Sequence, residues 1–287
     1  TLYQKIKKDL FAHLFQNKMI GLFLGKTDFP KKILYELKKR KIKYFIIDLT
    51  KKNIFKKDKY SYSISIGKFG QILDLINKNN CKKVLFAGKI DKPKISNLRL
   101  DVKGIYYLPR IVKAAKLGDA AILRELIKIL GENKIKVIKS NFYNPELTLS
   151  KGNYTKIKPT KLNLIDIKIG IDTLKKINAY NHVQGLIVKN GKIISKETSK
   201  GTKKMIQSVK KNKDNAGILI KFPKKKQDLR ADLPTIGLDT FKDCKKVGIN
   251  GIVLKAKQNI FLDKEKSIKF ANKNRIFIKI IWKKYLF

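Results

Sequence analysis

The chain has 287 residues, of which 43% are hydrophobic, and a formal net charge of +46. This length allows one large or two medium domains with sizeable cores. No run of 18 uncharged apolar residues occurs, so a membrane-spanning helix is not expected. Such a basic charge is typical of nucleic-acid binding, but 62 of the 68 basic residues are Lys. Because specific base recognition relies on Arg, we predict weak, salt-sensitive polyanion binding and no specific nucleic-acid partner.

Residues 1–18 have apolar side chains at three- to four-residue spacing, with lysines between them. This pattern predicts a basic amphipathic helix as an N-terminal extension. The helix would either lie on an anionic membrane surface or pack on its own domain.

From residue 19 onwards, short apolar runs alternate with helix-like segments. Strands are predicted at 19–24, 44–49, 61–66, 83–87 and 134–138, and helices at 30–41, 69–79 and 119–130. This alternation predicts a parallel sheet with helices on both faces, so ligands are expected at the loops that follow the strands. We assign residues 19–140 to the first domain.

Residues 140–160 contain Pro145, Gly152, Pro159 and several Asn, which is typical of a linker. A second α/β pattern follows. Helices are predicted at 165–177, 202–211, 240–247 and 264–274, a hairpin at 183–188 and 192–195, and strands at 217–222, 251–256 and 277–282. We assign residues 141–287 to a second domain and the whole chain to the α/β class.

Two loops of the first domain are candidate anion sites. Gly25-Lys26-Thr27 has the form of the end of a phosphate-binding P-loop, but Gly21 precedes it at one residue too few. A strand, a Gly turn and a helix still present backbone N–H groups to an anion, so we predict a ligand loop. Asp91 follows the strand 83–87 in a Gly-Lys-Ile-Asp-Lys-Pro turn, where a ligand role and a structural role both stay open.

Three further residues have alternative roles. Asp119 follows Gly118 and precedes a helix that carries Arg124, so it is either a natural N-cap or a ligand residue. Glu197, between a strand and a helix, would be a metal ligand or a solvated turn carboxylate. His182 has no neighbouring His or Cys and is more typical of a structural histidine.

The most informative segment runs from residue 227 to 237 and reads QDLRADLPTIG. Asp228, Arg230 and Asp232 alternate, so they would share one side of an extended segment. Carboxylates hold hard divalent cations, while Arg and the nearby Lys221 and Lys224 hold phosphate oxygens. The segment therefore predicts a metal-assisted reaction at a phosphate. A structural salt-bridge cluster is the alternative.

Four motifs in this order resemble the UDP-2,3-diacylglucosamine pyrophosphatases of the LpxI type, which act in lipid A synthesis. They are GLFLGKTDFP at 21–30, GKIDKP at 88–93, LGDAAILR at 117–124, and KFPK at 221–224 leading into 227–237. The resemblance implies a Rossmann-like N-terminal domain and a distinct C-terminal α/β domain, with the lipid substrate between them. It also implies Mg²⁺, with Mn²⁺ as an alternative, and a water that attacks phosphorus to give UMP and 2,3-diacylglucosamine 1-phosphate.

On this resemblance we assign catalysis to Asp228, Arg230 and Asp232, and metal binding to Asp228, Asp232 and Glu197. The predicted substrate-binding residues are Gly25, Lys26, Asp28, Lys89, Asp91, Gly118, Asp119, Arg124, Gln184, Lys221, Lys224 and Gln227. The chain departs from the family pattern at Lys203, where relatives carry Asp, and at Lys225-Lys226, where they carry Pro-Gly.

The lipid substrate implies a cytoplasmic enzyme at the inner face of the inner membrane. The dispersed lysines, and the helix predicted over 1–18, would attract it to that surface. Two other classes stay open: a nucleotide-sugar binding or transferase enzyme of the same architecture, and a Lys-rich nucleic-acid binder. The oligomeric state also stays open, a homodimer included.

Overall fold

The computed structural model describes residues 19–90, 95–177, 183–211 and 217–282. The helix predicted over 1–18 lies outside these ranges, as do Asp91 and His182. The chain divides into two compact units, each with its own sheet. Residues 19–144 and Arg230–Asp232 belong to the first unit, and residues 145–229 and 233–282 to the second. The predicted α/β class, with a parallel N-terminal sheet and a distinct C-terminal α/β part, is confirmed.

The first unit is built on a five-stranded sheet. Its strands are β1 (Ile20–Leu24), β2 (Tyr44–Asp48), β3 (Ser61–Tyr62), β4 (Lys83–Ala87) and β5 (Lys136–Val137). They lie in the order β3-β2-β1-β4-β5, and all neighbouring strands are parallel. Its helices are α1 (Asp28–Lys39), α2 (Phe69–Lys78), α3 (Val102–Ala115) and α4 (Asp119–Glu132). This is the strand order of doubly wound dinucleotide-binding sheets, whose ligand crevice lies at the carboxyl ends of the strands where the order reverses. Here that position is between β1 and β4.

The central strands of the first unit are buried along their whole length. Every residue of β1 and β2 is buried, as expected for a parallel sheet that is covered on both faces. The rings of Phe23 and Phe86, on neighbouring strands, stack with 4.5 Å between their centroids. Ile72 of α2 and Leu130 of α4 belong to the same apolar core.

The second unit contains a mixed six-stranded sheet. Its strands are β6 (Gly152–Asn153), β7 (Gly185–Lys189), β8 (Lys192–Lys196), β9 (Ile218–Lys221), β11 (Gly251–Lys255) and β13 (Phe277–Ile281). They lie in the order β6-β13-β11-β9-β7-β8, and β9, β11 and β13 are parallel to one another. A separate parallel pair consists of β10 (Thr235–Ile236) and β12 (Ile260–Phe261). The helices are α5 (Lys161–Lys176), α6 (Thr202–Gln207), α7 (Leu238–Val247) and α8 (Lys264–Lys273).

Helix α3 was not predicted from the sequence, and its beginning is held by Asp101. The Asp101 carboxylate accepts from the backbone N–H of Gly104 at 2.7 Å and from that of Gln71, in α2, at 3.0 Å. A Cβ on Gly104 would lie 2.1 Å from the carbonyl oxygen of Gly67. Only glycine therefore allows α3 to approach this closely, and the contact fixes which side of α3 faces inward.

We expect Asp101→Ala to lower the free energy of unfolding by about 0.5–2 kcal/mol, because the N-cap of α3 is lost. Burial alone would raise the pKa of Asp101, but hydrogen bonds from the backbone N–H groups of Gly104, Gly70 and Gln71 lower it below 3.8. A lowered folded pKa stabilises the protein above the unfolded pKa, and this contribution disappears as the pH falls through the folded value.

Asp101→Asn provides the control, since Asn also caps helices but does not titrate. Urea denaturation near neutral pH should give the Ala variant a lower free energy of unfolding than both the wild type and the Asn variant. The advantage of wild type over Asn should shrink as the pH falls below 3.8 and disappear once the pH has passed through the lowered folded pKa. Equal stability of the Ala variant and wild type at neutral pH would contradict the capping role.

Candidate functional site

The loops that follow β1 and β4 are joined at the carboxyl edge of the first sheet. Lys26 and Lys89 exchange two backbone hydrogen bonds of 2.9 Å each, and the Gly25 N–H donates to the Ala87 carbonyl at 2.8 Å. A Cβ on Gly25 would lie 2.4 Å from the Lys89 carbonyl oxygen, so the close approach requires glycine. The side chains of Lys26 and Lys89 are both exposed. Two motifs of the sequence thus meet and present ammonium groups where a crevice is expected.

The other predicted residues of this unit lie at the beginning or in the second turn of a helix. Asp28 is the first residue of α1 and pairs with Lys31 at 3.0 Å, both side chains being exposed. Gly118 is the N-cap of α4 with a φ of 102°, and Asp119 is the first helical residue. The prediction of Asp119 as N-cap is therefore wrong by one residue, because the left-handed φ at the cap favours glycine. Arg124 donates from Nε to the Ala120 carbonyl at 3.4 Å.

The segment around Arg230 is divided between the two units. Asp228 belongs to the second unit, whereas Arg230 and Asp232 belong to the first. The Ser140 N–H donates to the Arg230 carbonyl at 2.6 Å, and Ala231 packs against the apolar core of the first unit. Residues 229–231 form a turn, so the prediction that the three charged side chains share one side of an extended segment is wrong. Arg230 is exposed, and both aspartates are half-buried.

A buried ion pair lies at the end of β9 in the second unit. Lys221 and Glu197 are each only 3% exposed, and Lys221 Nζ lies 3.5 Å from Glu197 Oε1. The Thr202 hydroxyl donates to Glu197 Oε1 at 2.6 Å and accepts a hydrogen bond from Lys221 Nζ. Glu197 is therefore not a solvated turn carboxylate. The three groups compensate one another in a place where a lone charge would be costly.

Three predicted site residues of the second unit each have a buried polar atom without a hydrogen-bond partner in the described part of that unit: Gln184 Oε1, Glu197 Oε2 and Gln227 Nε2. Gln184 precedes β7, and its carbonyl accepts from the Phe222 N–H at 2.9 Å. Gln227 is held by its Oε1, which accepts from the Lys224 N–H at 2.8 Å. Buried polar atoms without partners are rare in proteins, and they commonly contact a ligand or an ordered water. We call Gln184, Glu197, Thr202, Lys221 and Gln227 the β9 polar cluster.

Two residues were missed by sequence reasoning: Thr202, a member of this cluster, and Asn259, which supports it. Thr202 holds both members of the ion pair, and its position after a glycine at a strand-to-helix junction was a usable signal. Asn259 donates from Nδ2 to the Lys221 carbonyl at 3.1 Å and accepts from the Lys255 N–H at 2.9 Å. It thereby fixes the ends of β9 and β11, and nothing in the sequence indicated this contact.

The donor set for a metal ion is incomplete within the described ranges. No group of three or more His, Cys, Asp or Glu that could hold a metal occurs there. Glu197, Asp228 and Asp232 therefore do not assemble into a three-carboxylate site in that part of the chain. Oε1 of Glu197 already contacts Lys221 and Thr202. Magnesium, however, is often held by only one or two carboxylates together with substrate phosphates. Asp228 and Asp232 each carry a carboxylate of the kind that such an arrangement uses.

Comparison with known proteins identifies relatives of both units. Residues 19–147 match the family model of the LpxI N-terminal domain, and residues 150–279 match that of the LpxI C-terminal domain. The UDP-2,3-diacylglucosamine pyrophosphatase LpxI of Caulobacter vibrioides is 30% identical over 223 residues, which is 75% of this chain and 80% of the relative. Along the sequence, the boundary between the two matched domains lies close to the division between the two units.

Proposed function

Because the chain belongs to the LpxI family, we propose that it hydrolyses the diphosphate of UDP-2,3-diacylglucosamine in lipid A synthesis. The products would be UMP and 2,3-diacylglucosamine 1-phosphate. The observation that carries the proposal is the match of both family domains, in order, along almost the whole chain. The relative named for this substrate supports the substrate class.

The chemistry of the basic groups described above suits a diphosphate. A diphosphate is hydrolysed slowly because its negative charge repels the nucleophile, so catalysis requires positive groups at the oxygens where charge develops. We assign that role to Arg230 and to Lys221. Lys26 and Lys89, at the crevice edge of the first sheet, would bind the substrate as an anion. The side-chain amide atoms of Gln184 and Gln227 that have no hydrogen-bond partner in the described residues would bind polar groups of the substrate.

We further propose that Asp228 and Asp232 bind Mg²⁺ or Mn²⁺ together with substrate phosphate oxygens. Such an ion supplies charge neutralisation and a water of lowered pKa. We leave Glu197 outside this set because its carboxylate is the counter-charge of the buried Lys221 ammonium, although its Oε2 has no hydrogen-bond partner in the described residues. Its proposed role is to hold the Lys221 ammonium in place.

We also propose that the protein acts in the cytoplasm, at the inner face of the inner membrane. The support is chemical. A substrate with two acyl chains stays in a lipid phase, whereas its UDP group projects into water, so the enzyme must reach the diphosphate at the membrane surface.

The test is hydrolysis of UDP-2,3-diacylglucosamine in detergent micelles by the purified protein, with Mg²⁺, with Mn²⁺ and with EDTA. We expect UMP release with either metal and none with EDTA. No release under any condition would overturn the proposed activity. Undiminished release of UMP in EDTA would overturn only the proposed metal dependence. Isotopically labelled water would then identify the phosphorus that is attacked.

A further inference from the structure

Helix α3 exposes an apolar stripe on its outer side. Val102 is 83% exposed, Ile105 61% and Tyr106 72%, and Pro109 is exposed as well. These residues are spaced i, i+3, i+4 and i+7, so they lie on one side of the helix. We call Val102, Ile105, Tyr106 and Pro109 the α3 apolar stripe. An exposed run of this kind is uncommon on a surface that is otherwise rich in lysine.

The opposite side of α3 is firmly packed, so the stripe cannot turn inward. Gly104 approaches the Gly67 carbonyl, as described above, and Tyr107 packs edge-to-face on Phe69 with 5.4 Å between the ring centroids. Arg110 donates to both carboxylate oxygens of Glu132 at 2.8 Å and to Glu125 at 2.7 Å. These contacts fix α3 on α2 and α4 and leave the stripe facing outward.

The surface around the stripe is basic. Helix α3 contains no Asp or Glu, and Lys103, Lys113 and Lys116 beside the stripe are all exposed. The carboxylates that contact α3 directly are those of Asp101, which caps it, and of the two glutamates paired with Arg110; Asp119 lies just after α3 at the start of α4. The combination of an apolar stripe, a tyrosine and flanking lysines is typical of helices that lie in the interface of an anionic bilayer.

We propose that the α3 apolar stripe, with Lys103, Lys113 and Lys116, docks on an anionic phospholipid surface. The inference rests on the proposed function insofar as the substrate is a membrane lipid. A second copy of this chain is a poorer occupant, because a symmetric contact at the stripe would bring the flanking lysines of the two copies together. None of the helices in the described ranges has the length and apolar character needed to cross a bilayer.

The experiment is sedimentation of the full chain with vesicles of phosphatidylcholine alone or mixed with phosphatidylglycerol. We expect binding only to the anionic vesicles, weakening as salt rises. Ile105→Ser with Tyr106→Ser should lower the vesicle partition coefficient about ten-fold or more, since two apolar side chains no longer insert. Lys113→Gln with Lys116→Gln should lower it about five-fold per lysine.

A matched control lies in the second unit. Leu162 and Ile165 are 71% and 53% exposed on α5 and are spaced i, i+3, like Val102 and Ile105 of the stripe. Leu162→Ser with Ile165→Ser should leave binding unchanged. Equal loss in both double variants, or no loss in the α3 variant, would overturn the assignment to α3. Sedimentation velocity supplies a second check: a dimer that becomes a monomer in the α3 variant would assign the stripe to a contact between copies instead.

Hydrolysis in detergent micelles separates this inference from the proposed function, because vesicle binding needs no turnover. An α3 variant that hydrolyses micellar substrate normally but fails on substrate in anionic vesicles would support the docking surface. Normal hydrolysis together with unchanged vesicle binding would overturn the docking surface and leave the function standing. If the protein binds vesicles through α3 but does not hydrolyse the substrate, the proposed function is overturned and the docking surface stands.

Discussion

Replacing Asp228 or Asp232 by Asn is expected to lower kcat for UDP-2,3-diacylglucosamine hydrolysis by about a hundred- to thousand-fold. Asn keeps the size of the side chain but removes the charge that would hold a divalent cation against the diphosphate. Both aspartates are half-buried outside helices and strands. We therefore expect the variants to stay folded, with thermal midpoints near that of the wild type.

Asp239→Asn is the matched control. The Asp239 side chain is 94% exposed in the first turn of α7, only seven positions after Asp232. Its substitution should leave kcat unchanged. Titration with Mg²⁺ adds a second readout, because a lost ligand should raise the metal concentration needed for half-maximal rate. Near-normal kcat at ordinary Mg²⁺ in either the Asp228 or the Asp232 variant would show that the metal assignment is wrong.

The buried strands could be predicted from the sequence because burial on both faces demands uninterrupted apolar runs. The strand predicted at 83–87 coincides with β4, and that predicted at 19–24 differs from β1 by one residue. The two-residue strands β6, β10 and β12 were not predicted. Such short strands exist only because a distant strand offers hydrogen-bonding partners, and no local pattern marks them.

Helix α3 was missed because two of its residues argue against a helix. Gly104 and Pro109 are unfavourable in helix interiors. In the structure Gly104 is required by the contact with Gly67, a residue that lies before the preceding helix in the sequence. A tertiary contact thus overrides local propensity. The α3 apolar stripe could not have been inferred from the sequence for the same reason.

The candidate site shows the same limit. The segment 227–237 stood out because Arg is rare in this chain, but its alternating pattern suggested an extended conformation where a turn occurs. Glu197 and Lys221 are 24 residues apart and meet because Gly185 of β7 lies opposite Lys221 in the antiparallel pairing with β9. Strand register between non-adjacent segments is set by the whole sheet, so the ion pair became visible only in the structure.

That ion pair leads to the second large expected effect, which concerns stability as well as catalysis. Glu197→Gln leaves the buried Lys221 ammonium without a counter-charge, and Lys221→Met leaves the Glu197 carboxylate without one. Each single substitution should lower the free energy of unfolding by about 3–5 kcal/mol, because an unpaired charge stays buried. The double variant contains neither charge and should regain much of the loss, with a coupling energy of about 2–3 kcal/mol.

Urea denaturation of the four proteins measures this cycle. The exposed pair of Asp172 and Lys175 on α5, 2.7 Å apart with side chains about half exposed, is the control. Breaking it by Lys175→Met should cost about 0.5 kcal/mol or less, since surface ion pairs contribute little. Single variants at Glu197 and Lys221 that are as stable as this control would contradict the burial of the charges.

Hydrolysis by the same four proteins separates a structural lysine from a catalytic one. If Lys221 stabilises charge on the phosphate oxygens, the double variant should be stable yet slow, with kcat reduced about a hundred-fold or more. Glu197→Gln, which keeps the ammonium, should lose less of kcat than Lys221→Met when both are assayed at a temperature where they are folded. A double variant that recovers stability and kcat together would assign the ion pair to folding alone. The phosphate contact would then fall to Arg230, whose guanidinium can bind two oxygens of a phosphate at once.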